Sequence, residues 1–503
     1  MIASTQSSAP ERLAAHDSRR ASLAQGISIL GLVLFAVFVP HSIAGAEIAL
    51  GITGLGWLLR TLATGSLGLR RTRLDLPIWL FAAFTIASSL LSEEPRISIA
   101  KLQSVCVLFL FYITQAIVTR RTALLLVCVM IVSGIAGTLY SMFDLARGRG
   151  VIVEVIKNDS PLRQAHIEAG DAIWRVNGKR VYSAADIDAA LKAAPTDRTL
   201  AVSVISRGEH VERPGLIVTE KLKQEATPGG ITGTERTHRF RASGWTRHYE
   251  TFSEILQILA QLALGLALAH LRNHRANLRF KLAIAACAIL ALGIALTAMR
   301  TVLVAFAIGA SVILLRAARG KARMIATAAL AVVLAFGVFF VWQTRAQDAL
   351  ALQDSSSALR LAVARVGAAR ILLHPVFGHG MDAVHKHWNE WGFPGDQMLG
   401  LHSTPLQLAF DRGLPALLCW LWLMLVFWLT TIRAEREAHD KGDTNSFGLL
   451  LGATGAIAGF FASSLVNYNF GDAEVALVFW WLMGIVVVLA TSERIRAKEV
   501  NVG

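Results

Sequence analysis

The chain has 503 residues, 54% of them hydrophobic and 17% charged, with a mean hydropathy of +0.51. That composition excludes a soluble enzyme and specifies a polytopic membrane protein. The net charge of +14 does not mark a nucleic-acid binder, because the basic residues recur between apolar runs instead of forming one patch.

Residues 1–21 are polar and basic, with Arg12, Arg19 and Arg20, and are expected to form a cytoplasmic tail. No small-x-small cleavage site follows the first apolar run, which is expected to stay as a helix. Runs long enough to span follow at about 22–40, 43–63, 75–92, 97–118 and 122–143, giving transmembrane helices 1–5 across 22–143. They resume at about 252–271, 281–299, 301–316 and 323–342, helices 6–9 across 252–342. The last three lie at about 414–432, 447–466 and 473–491, helices 10–12 across 414–491, before a second tail at 492–503. At about 20 apolar residues per span, this makes about twelve. With the first tail inside, the inner loops collect Arg60, Arg70, Arg71 and Arg73, then Arg120 and Arg121, then Arg272, Arg275 and Arg279. Later inner loops carry Arg316, Arg319, Lys321 and Arg323, then Arg433 and Arg436, then Arg494 and Arg496. This positive-inside ladder predicts cytoplasmic termini and puts the polar segments 144–251 and 343–413 on the outer, periplasmic side. Cys106, Cys128, Cys287 and Cys419 sit inside apolar runs without metal-ligand spacing, as small apolar packers do.

The insert at 144–218 is soluble in character. It has a β-branched run at 151–156, a turn at Asn158-Asp159-Ser160-Pro161, and strand–turn–strand over 172–181 around Asn177-Gly178. A helix at about 183–193 and a strand at 199–206 follow. Through Ser160-Pro161, Ala169-Gly170-Asp171-Ala172-Ile173, Val176-Asn177-Gly178 and the Ala184–Leu191 helix it resembles a PDZ domain of the bacterial protease type. Such domains bind extended peptides by strand addition. Arg147-Gly148-Arg149-Gly150 is the candidate carboxylate-binding loop, which makes Arg149, Gly150 and Val151 the candidate peptide contacts. The plainer alternative is a structural spacer. A site-2 metalloprotease is excluded because the chain has no His-Glu-x-x-His. Residues 219–251, with Pro228-Gly229-Gly230, are expected to be a linker back to the membrane. Its end, Gly244-Trp245-Thr246-Arg247-His248-Tyr249-Glu250-Thr251-Phe252, suits interfacial anchoring, with Arg247 and His248 as possible substrate ligands.

Arg300 lies in an outer hairpin turn where the ladder predicts no cation. Alone it would be a snorkelling helix-end arginine. On the same side, the loop 343–413 carries Arg360, Arg365 and Arg370 on an amphipathic segment. Steps of five residues turn a helix by about 140°, so the three cannot share a face, whereas Arg360 and Arg370, about 80° apart, can. A surface helix lying among headgroups is the bland reading. Farther on, His402 precedes Thr404-Pro405-Leu406-Gln407, a capping box with Thr404 as N-cap, and the helix is expected to stop at Arg412-Gly413. A helix N-terminus favours neutral imidazole, the form that accepts a proton. Two fixed guanidiniums suit a diphosphate.

Arg300, Arg360, His374-Pro375-Val376-Phe377-Gly378-His379-Gly380, His402-Ser403-Thr404-Pro405-Leu406-Gln407 and Asp411-Arg412-Gly413-Leu414-Pro415 together resemble the O-antigen ligase and polymerase superfamily. Residues 244–252 look like the segment entering the middle span of its ligase-like members. The resemblance implies a GT-C-like helical membrane protein with a small α+β PDZ-like domain in a periplasmic loop. It implies transfer of a glycan from undecaprenyl diphosphate to a hydroxyl on lipid A–core, another glycan or a protein. In that role Arg300 and Arg360 hold the diphosphate, with Arg370 as a possible helper, and His402 activates the hydroxyl. Neither cofactor nor metal is implied. The departures are the PDZ-like insert and Ser403, where members often have Asn.

Three other readings compete. His374, His379, His385 and His387 with Asp472 and Glu474 invite a metal, but their spacings match no zinc pattern. Asp472 and Glu474 suit a helix N-terminus as well. A transporter should carry charges near the bilayer midplane, where Lys101 is the nearest candidate. A non-catalytic receptor would use the PDZ-like insert for peptides and leave the arginines and His402 without a task.

Overall fold

The apolar runs form helices, because in hydrocarbon a segment must satisfy its own backbone donors and acceptors. The computed structural model describes residues 9–156, 160–196, 199–206, 209–232, 235–238, 240–246, 248–274, 277–318, 320, 355–395 and 400–491. Among these, nine helices are long and apolar enough to cross a membrane: Arg19–Phe38, Ile43–Thr64, Arg120–Arg147, Tyr249–Arg272, Leu278–Leu296, Arg300–Ala317, Thr404–Asp440, Thr444–Ser464 and Ala473–Thr491. Asp75–Leu91 is apolar but only 17 residues long. The expected span at 97–118 is not one helix. It breaks into Pro95–Ala100, a 3₁₀ turn Leu102–Leu108 and Phe109–Ile117. Lys101 sits at the break and pairs with Asp382 at 2.9 Å, which explains a lysine in that run. The expected span 323–342 lies outside the described residues. The protein is thus a polytopic helical membrane protein with one small sheet region. By chain contacts it divides into a larger unit, Met1–Ala136 with Glu250–Ala295 and Met299–Gly503, and a smaller one, Gly137–Tyr249 with Leu296–Ala298.

Within the larger unit, the helices starting at Tyr249, Thr444 and Ala473 are 89%, 83% and 83% buried over their apolar windows, so they form its centre. The helices Arg19–Phe38 and Ile43–Thr64 leave Leu23, Ile48 and Leu62 exposed, as lipid-facing helices do. The Thr444 helix carries Gly448, Gly452, Gly455 and Gly459, whose spacing of three and four keeps them on one face. A Cβ at Gly452 would run into the backbone of Gln261 and Leu262, and one at Gly309 into the Gly455 carbonyl. The glycines therefore let the Tyr249 and Arg300 helices lie directly on the Thr444 backbone, where close dispersion contacts fix their register. At the other end Arg316 Nε pairs with Glu435 Oε2 at 2.8 Å, and Thr454 Oγ1 donates to the same carboxylate at 3.1 Å.

The Thr404 helix differs from its expected form at its N-cap. Its N-cap is Ser403, not Thr404: Ser403 is extended (φ −153°, ψ 123°), and its hydroxyl accepts from Leu406 N. Gln407 does reach back, but to Leu401 N at 2.7 Å. Gly413 breaks the helix as expected, with φ 83° and ψ 167°, yet a second helical stretch restarts beyond it and runs to Asp440. The break is a docking point. Leu414 N donates to Pro375 O at 2.7 Å, and a Cβ on Gly413 would collide with the Val376 carbonyl.

The smaller unit contains an antiparallel sheet ordered Val151–Ile152, Ala172–Val176, Thr199–Ser206, Glu209–Ile217, with Lys179–Arg180 paired to Ala172–Val176. Asn177 and Gly178 both have positive φ, 49° and 76°, the two-residue turn their sequence predicts. Ser183 caps Ala184–Lys192, whose Ile187 and Leu191 are buried against Val151, Ile173, Val202 and Val204. The stretch expected to be a linker supplies a helix, Glu220–Gln224, and a strand, Ile231–Thr232, with Leu222 and Ile231 in the same core.

The glycine face yields a direct test. Gly452→Leu should lower detergent-solubilised thermal stability by an amount typical of overpacking, about 1–3 kcal/mol. Gly51→Leu, on a helix face where a Cβ meets nothing within 4 Å, should leave the melting curve unchanged.

Candidate active site

His402 is half-buried and has φ 53°. Its backbone turns there because the next residue caps a helix. Burial, and then the charge of Arg360, push its pKa below the ordinary 6.5. The neutral form therefore persists below pH 6.5, and the imidazole can accept a proton near neutrality. Arg360 is half-buried on the helix Ser355–Ile371. Gly367 lies seven residues on, two turns along the same face. It leaves no room for a Cβ against Leu401, and Leu359, Val363 and Val366 pack in the cluster holding Leu401 and Leu406. Apolar packing of that helix on the residues flanking His402 is what brings the arginine beside it.

Arg300 is exposed at the first position of the helix Arg300–Ala317, whose N-cap Met299 makes no side-chain cap. A cation at the positive end of a helix is unfavourable, by roughly 0.3–1 kcal/mol at a surface, unless an anion is also present. The neighbouring Thr301 ties this end to the His402 segment. Asn467 Nδ2 donates to Thr301 Oγ1 at 3.2 Å and to Glu254 Oε1 at 3.1 Å. The Asn467 carbonyl accepts from Thr404 N at 3.1 Å, and Thr404 Oγ1 donates to Asn469 Oδ1 at 3.0 Å. Ser463 Oγ donates to Glu254 Oε1 at 2.7 Å. A carboxylate only accepts, so it fixes which end of the Asn467 amide faces it. Through one asparagine, the helix start carrying Arg300 and the helix start following His402 share a corner. Sequence reasoning missed Glu254, Asn467 and Thr301. Glu254, an acid inside an apolar run, was the available signal.

The remaining candidates are placed differently. Arg370 lies over the Trp391 ring, 5.1 Å from its centroid, and serves the packing of the loop. Arg247 lies outside the described residues. His248 belongs to the smaller unit, is exposed, and accepts from Thr246 Oγ1 through its carbonyl at 2.9 Å. Arg149, Gly150 and Val151 do not offer a free strand edge. Arg149 N donates to Thr237 O at 2.8 Å, Thr237 N to Arg149 O at 3.2 Å, and Ile152 N to Glu235 O at 2.8 Å. Val155 and Ile156 pair with Thr232 and Ile231. The chain's own Ile231–Thr232 and 235–237 thus lie along this edge. The Arg149 side chain is taken up by Asp144 and by the faces of Trp174 and Phe240.

The loop histidines do not form one ligand set; each finds a carboxylate. His379, fully buried, has Nδ1 2.5 Å from Glu93 Oε2 and Nε2 3.0 Å from the Arg370 carbonyl. His385 lies 3.2 Å from Asp382. His387 lies 2.6 Å from Glu94 and 2.5 Å from Glu390. The Glu390 hydrogen bond raises the His387 pKa, and Lys386, then His387, lower that of Glu94. Glu93, His374 and His379 do bring three donor atoms within 4.8 Å of one another, a set that could hold a metal ion. Both ring nitrogens of His379, however, already face oxygens. Asp472 accepts from Val475 N at 3.5 Å at the start of the Ala473 helix, the helix-end role its position suggests. A cavity of about 610 Å³, lined by His270, Asn277, Arg279 and Asp443 among others, lies toward the other end of these helices. His270 is about 24 Å from Glu254 along their common helix, at 1.5 Å per residue.

If 235–237 covers the strand edge, the amides of Arg149 and Ile152 should exchange with deuterium as slowly as those inside the sheet. Exchange at loop rates would mean that the edge is open.

Comparison with known families gives two matches: a family model described as O-antigen ligase over residues 285–421 and one described as PDZ domain over residues 133–212. No curated protein matches the chain. The first range contains Arg300, Arg360 and His402.

Proposed function

We propose that this multi-pass membrane protein, which carries an O-antigen ligase domain and a PDZ domain, moves a glycan from undecaprenyl diphosphate to a hydroxyl on the periplasmic face of a bacterial inner membrane. The O-antigen ligase match supports glycosyl transfer of ligase or polymerase type. Donor, acceptor and the roles of individual residues are our reading. The observation that carries it is His402, held neutral by burial and by Arg360, in the corner to which Asn467 ties the Arg300 helix.

His402 takes the proton of the acceptor hydroxyl as its oxygen attacks the anomeric carbon. The attack comes from the face opposite the diphosphate, so the configuration inverts. The bond from that carbon to the phosphate oxygen breaks, and its electron pair leaves with the diphosphate. Arg300 and Arg360 hold that group and take up the charge developing on it, as a divalent cation would. Because diphosphate leaves easily, the reaction needs a base more than an acid. The positive-inside ladder of the inner loops supports cytoplasmic termini and an outward-facing site.

A polymerase or a protein O-oligosaccharyltransferase would use the same donor chemistry with another hydroxyl. Residues 244–252 favour the ligase, with lipid A–core as acceptor. A PDZ domain suggests peptide binding. Since the 149–156 edge is paired, a partner has to displace Ile231–Thr232 and 235–237 or dock elsewhere on the domain.

With purified protein, a polyprenyl-diphosphate glycan and lipid A–core, His402→Ala should lower kcat by about 10²–10⁴-fold, the range of a general base. Arg300→Ala and Arg360→Ala should raise the donor KM, and EDTA should leave transfer intact. Undiminished transfer in folded His402→Ala protein would overturn the mechanism. The same assay should show kcat/KM rising with pH through a single limb below 6.5, the ordinary histidine value, because a depressed pKa keeps His402 neutral above it.

A further inference from the structure

Glu254 is an acid 3% exposed in a helix that crosses the membrane, and the mechanism above does not use it. Its hydrogen-bond partners Ser463 and Asn467 are neutral. A carboxylate in such surroundings is costly, so its retention needs a return. The return is visible in what Asn467 does. Its side-chain amide reaches Thr301 Oγ1, next to Arg300, and its backbone carbonyl receives Thr404 N, two residues past His402. Asn467 belongs to neither helix; it lies just beyond Thr444–Ser464. The glycine face of that helix holds the Tyr249 and Arg300 helices in contact along their length. Among the described hydrogen bonds, those of Asn467 reach both the Arg300 helix and the Thr404 start, while Asn469 ties Thr404 to the Phe460 carbonyl.

We propose that Asn467 and Glu254 are positioning residues for glycosyl transfer. Asn467 sets the separation between Arg300 and His402, and Glu254 sets the orientation of Asn467. The proposal rests on the functional reading above. Its chemistry is geometric: the base must meet the hydroxyl while the guanidinium meets the diphosphate, and a displacement of about 1 Å is enough to lower the rate by about a hundredfold. An acceptor oxygen is what Asn467 requires of residue 254. Glutamine at that position keeps such an oxygen and alanine does not.

The test is steady-state kinetics on full-length protein in nanodiscs, with a synthetic polyprenyl-diphosphate oligosaccharide and lipid A–core, for Glu254→Ala, Glu254→Gln, Asn467→Ala and Thr301→Val. Thr431→Val is the control, since Thr431 Oγ1 bonds only the Phe427 carbonyl of its own helix among the described hydrogen bonds. Expected are a kcat lowered by at least about tenfold in Glu254→Ala and Asn467→Ala, per mole of folded protein, and recovery to within about threefold of wild type in Glu254→Gln. Wild-type kcat in folded Glu254→Ala and Asn467→Ala would overturn the proposal. So would a loss confined to melting temperature, or a Glu254→Gln variant as impaired as Glu254→Ala. Should the alanine variants not fold, Thr301→Val decides, because it removes only the Arg300 end of the link: a raised donor KM supports the proposal and unchanged kinetics overturn it. Absence of transfer in wild type and Thr431→Val alike removes the glycosyl-transfer reading itself, and the proposal with it, which separates the two failures.

Discussion

The contact of the Tyr249 and Arg300 helices with the glycine face of Thr444–Ser464 is the constraint on which the larger unit depends. In a membrane, helices gain nothing from hiding apolar side chains from one another, because lipid is equally apolar. Backbones that touch gain dispersion contacts that lipid tails do not match. Gly448, Gly452, Gly455 and Gly459 permit that touch, and it fixes how the Tyr249 and Arg300 helices lie against this helix. Arg300 does not need to be held by its own side chain, since its helix has no freedom to slide.

On this base, the loop before the Thr404 helix is fastened by polar contacts of another kind. The Glu93-Glu94 turn takes His379, Lys386 and His387, and Lys101 takes Asp382. Trp391 and Phe410 pack around the buried His379 ring. The Pro375–Gly378 turn docks on the Gly413 break. Among the described residues, these interactions engage most of the loop's histidines and carboxylates as structure. His402 differs from the other loop histidines in having a cation, Arg360, as its electrostatic neighbour, where His379, His385 and His387 have carboxylates. That difference in sign favours the neutral, proton-accepting form of His402, while the carboxylates fasten the others.

The smaller unit shows how local pattern and pairing divide the work. Asn177-Gly178, the Ser183 cap and the Thr199–Ser206 run produce their turn, helix and strand where the sequence places them. The pairing partner of 149–156 is another matter. It comes from Ile231–Thr232 and 235–237, in a stretch whose Pro-Gly-Gly composition reads as linker, because two or three residues of strand leave no periodic signal.

Sequence alone determined what depends on length, composition and nearest neighbours: a polytopic helical protein, most of its helix bounds, a break at Gly413, a PDZ domain, and Arg300, Arg360 and His402 as candidates. Hydropathy and turn chemistry are local, so they are legible in one dimension. Tertiary structure decided which polar groups meet. Glu254, Thr301, Thr404 and Asn467 are isolated polar residues in four separate segments, and no spacing rule links them. It also decided that Ser403 rather than Thr404 caps the helix, since Thr404 is drawn away to Asn469. Nor does any local pattern show that 97–118 breaks at a lysine whose partner, Asp382, lies far along the chain. Hydrogen bonds and ion pairs between distant segments exist only once helix packing has fixed where each segment ends.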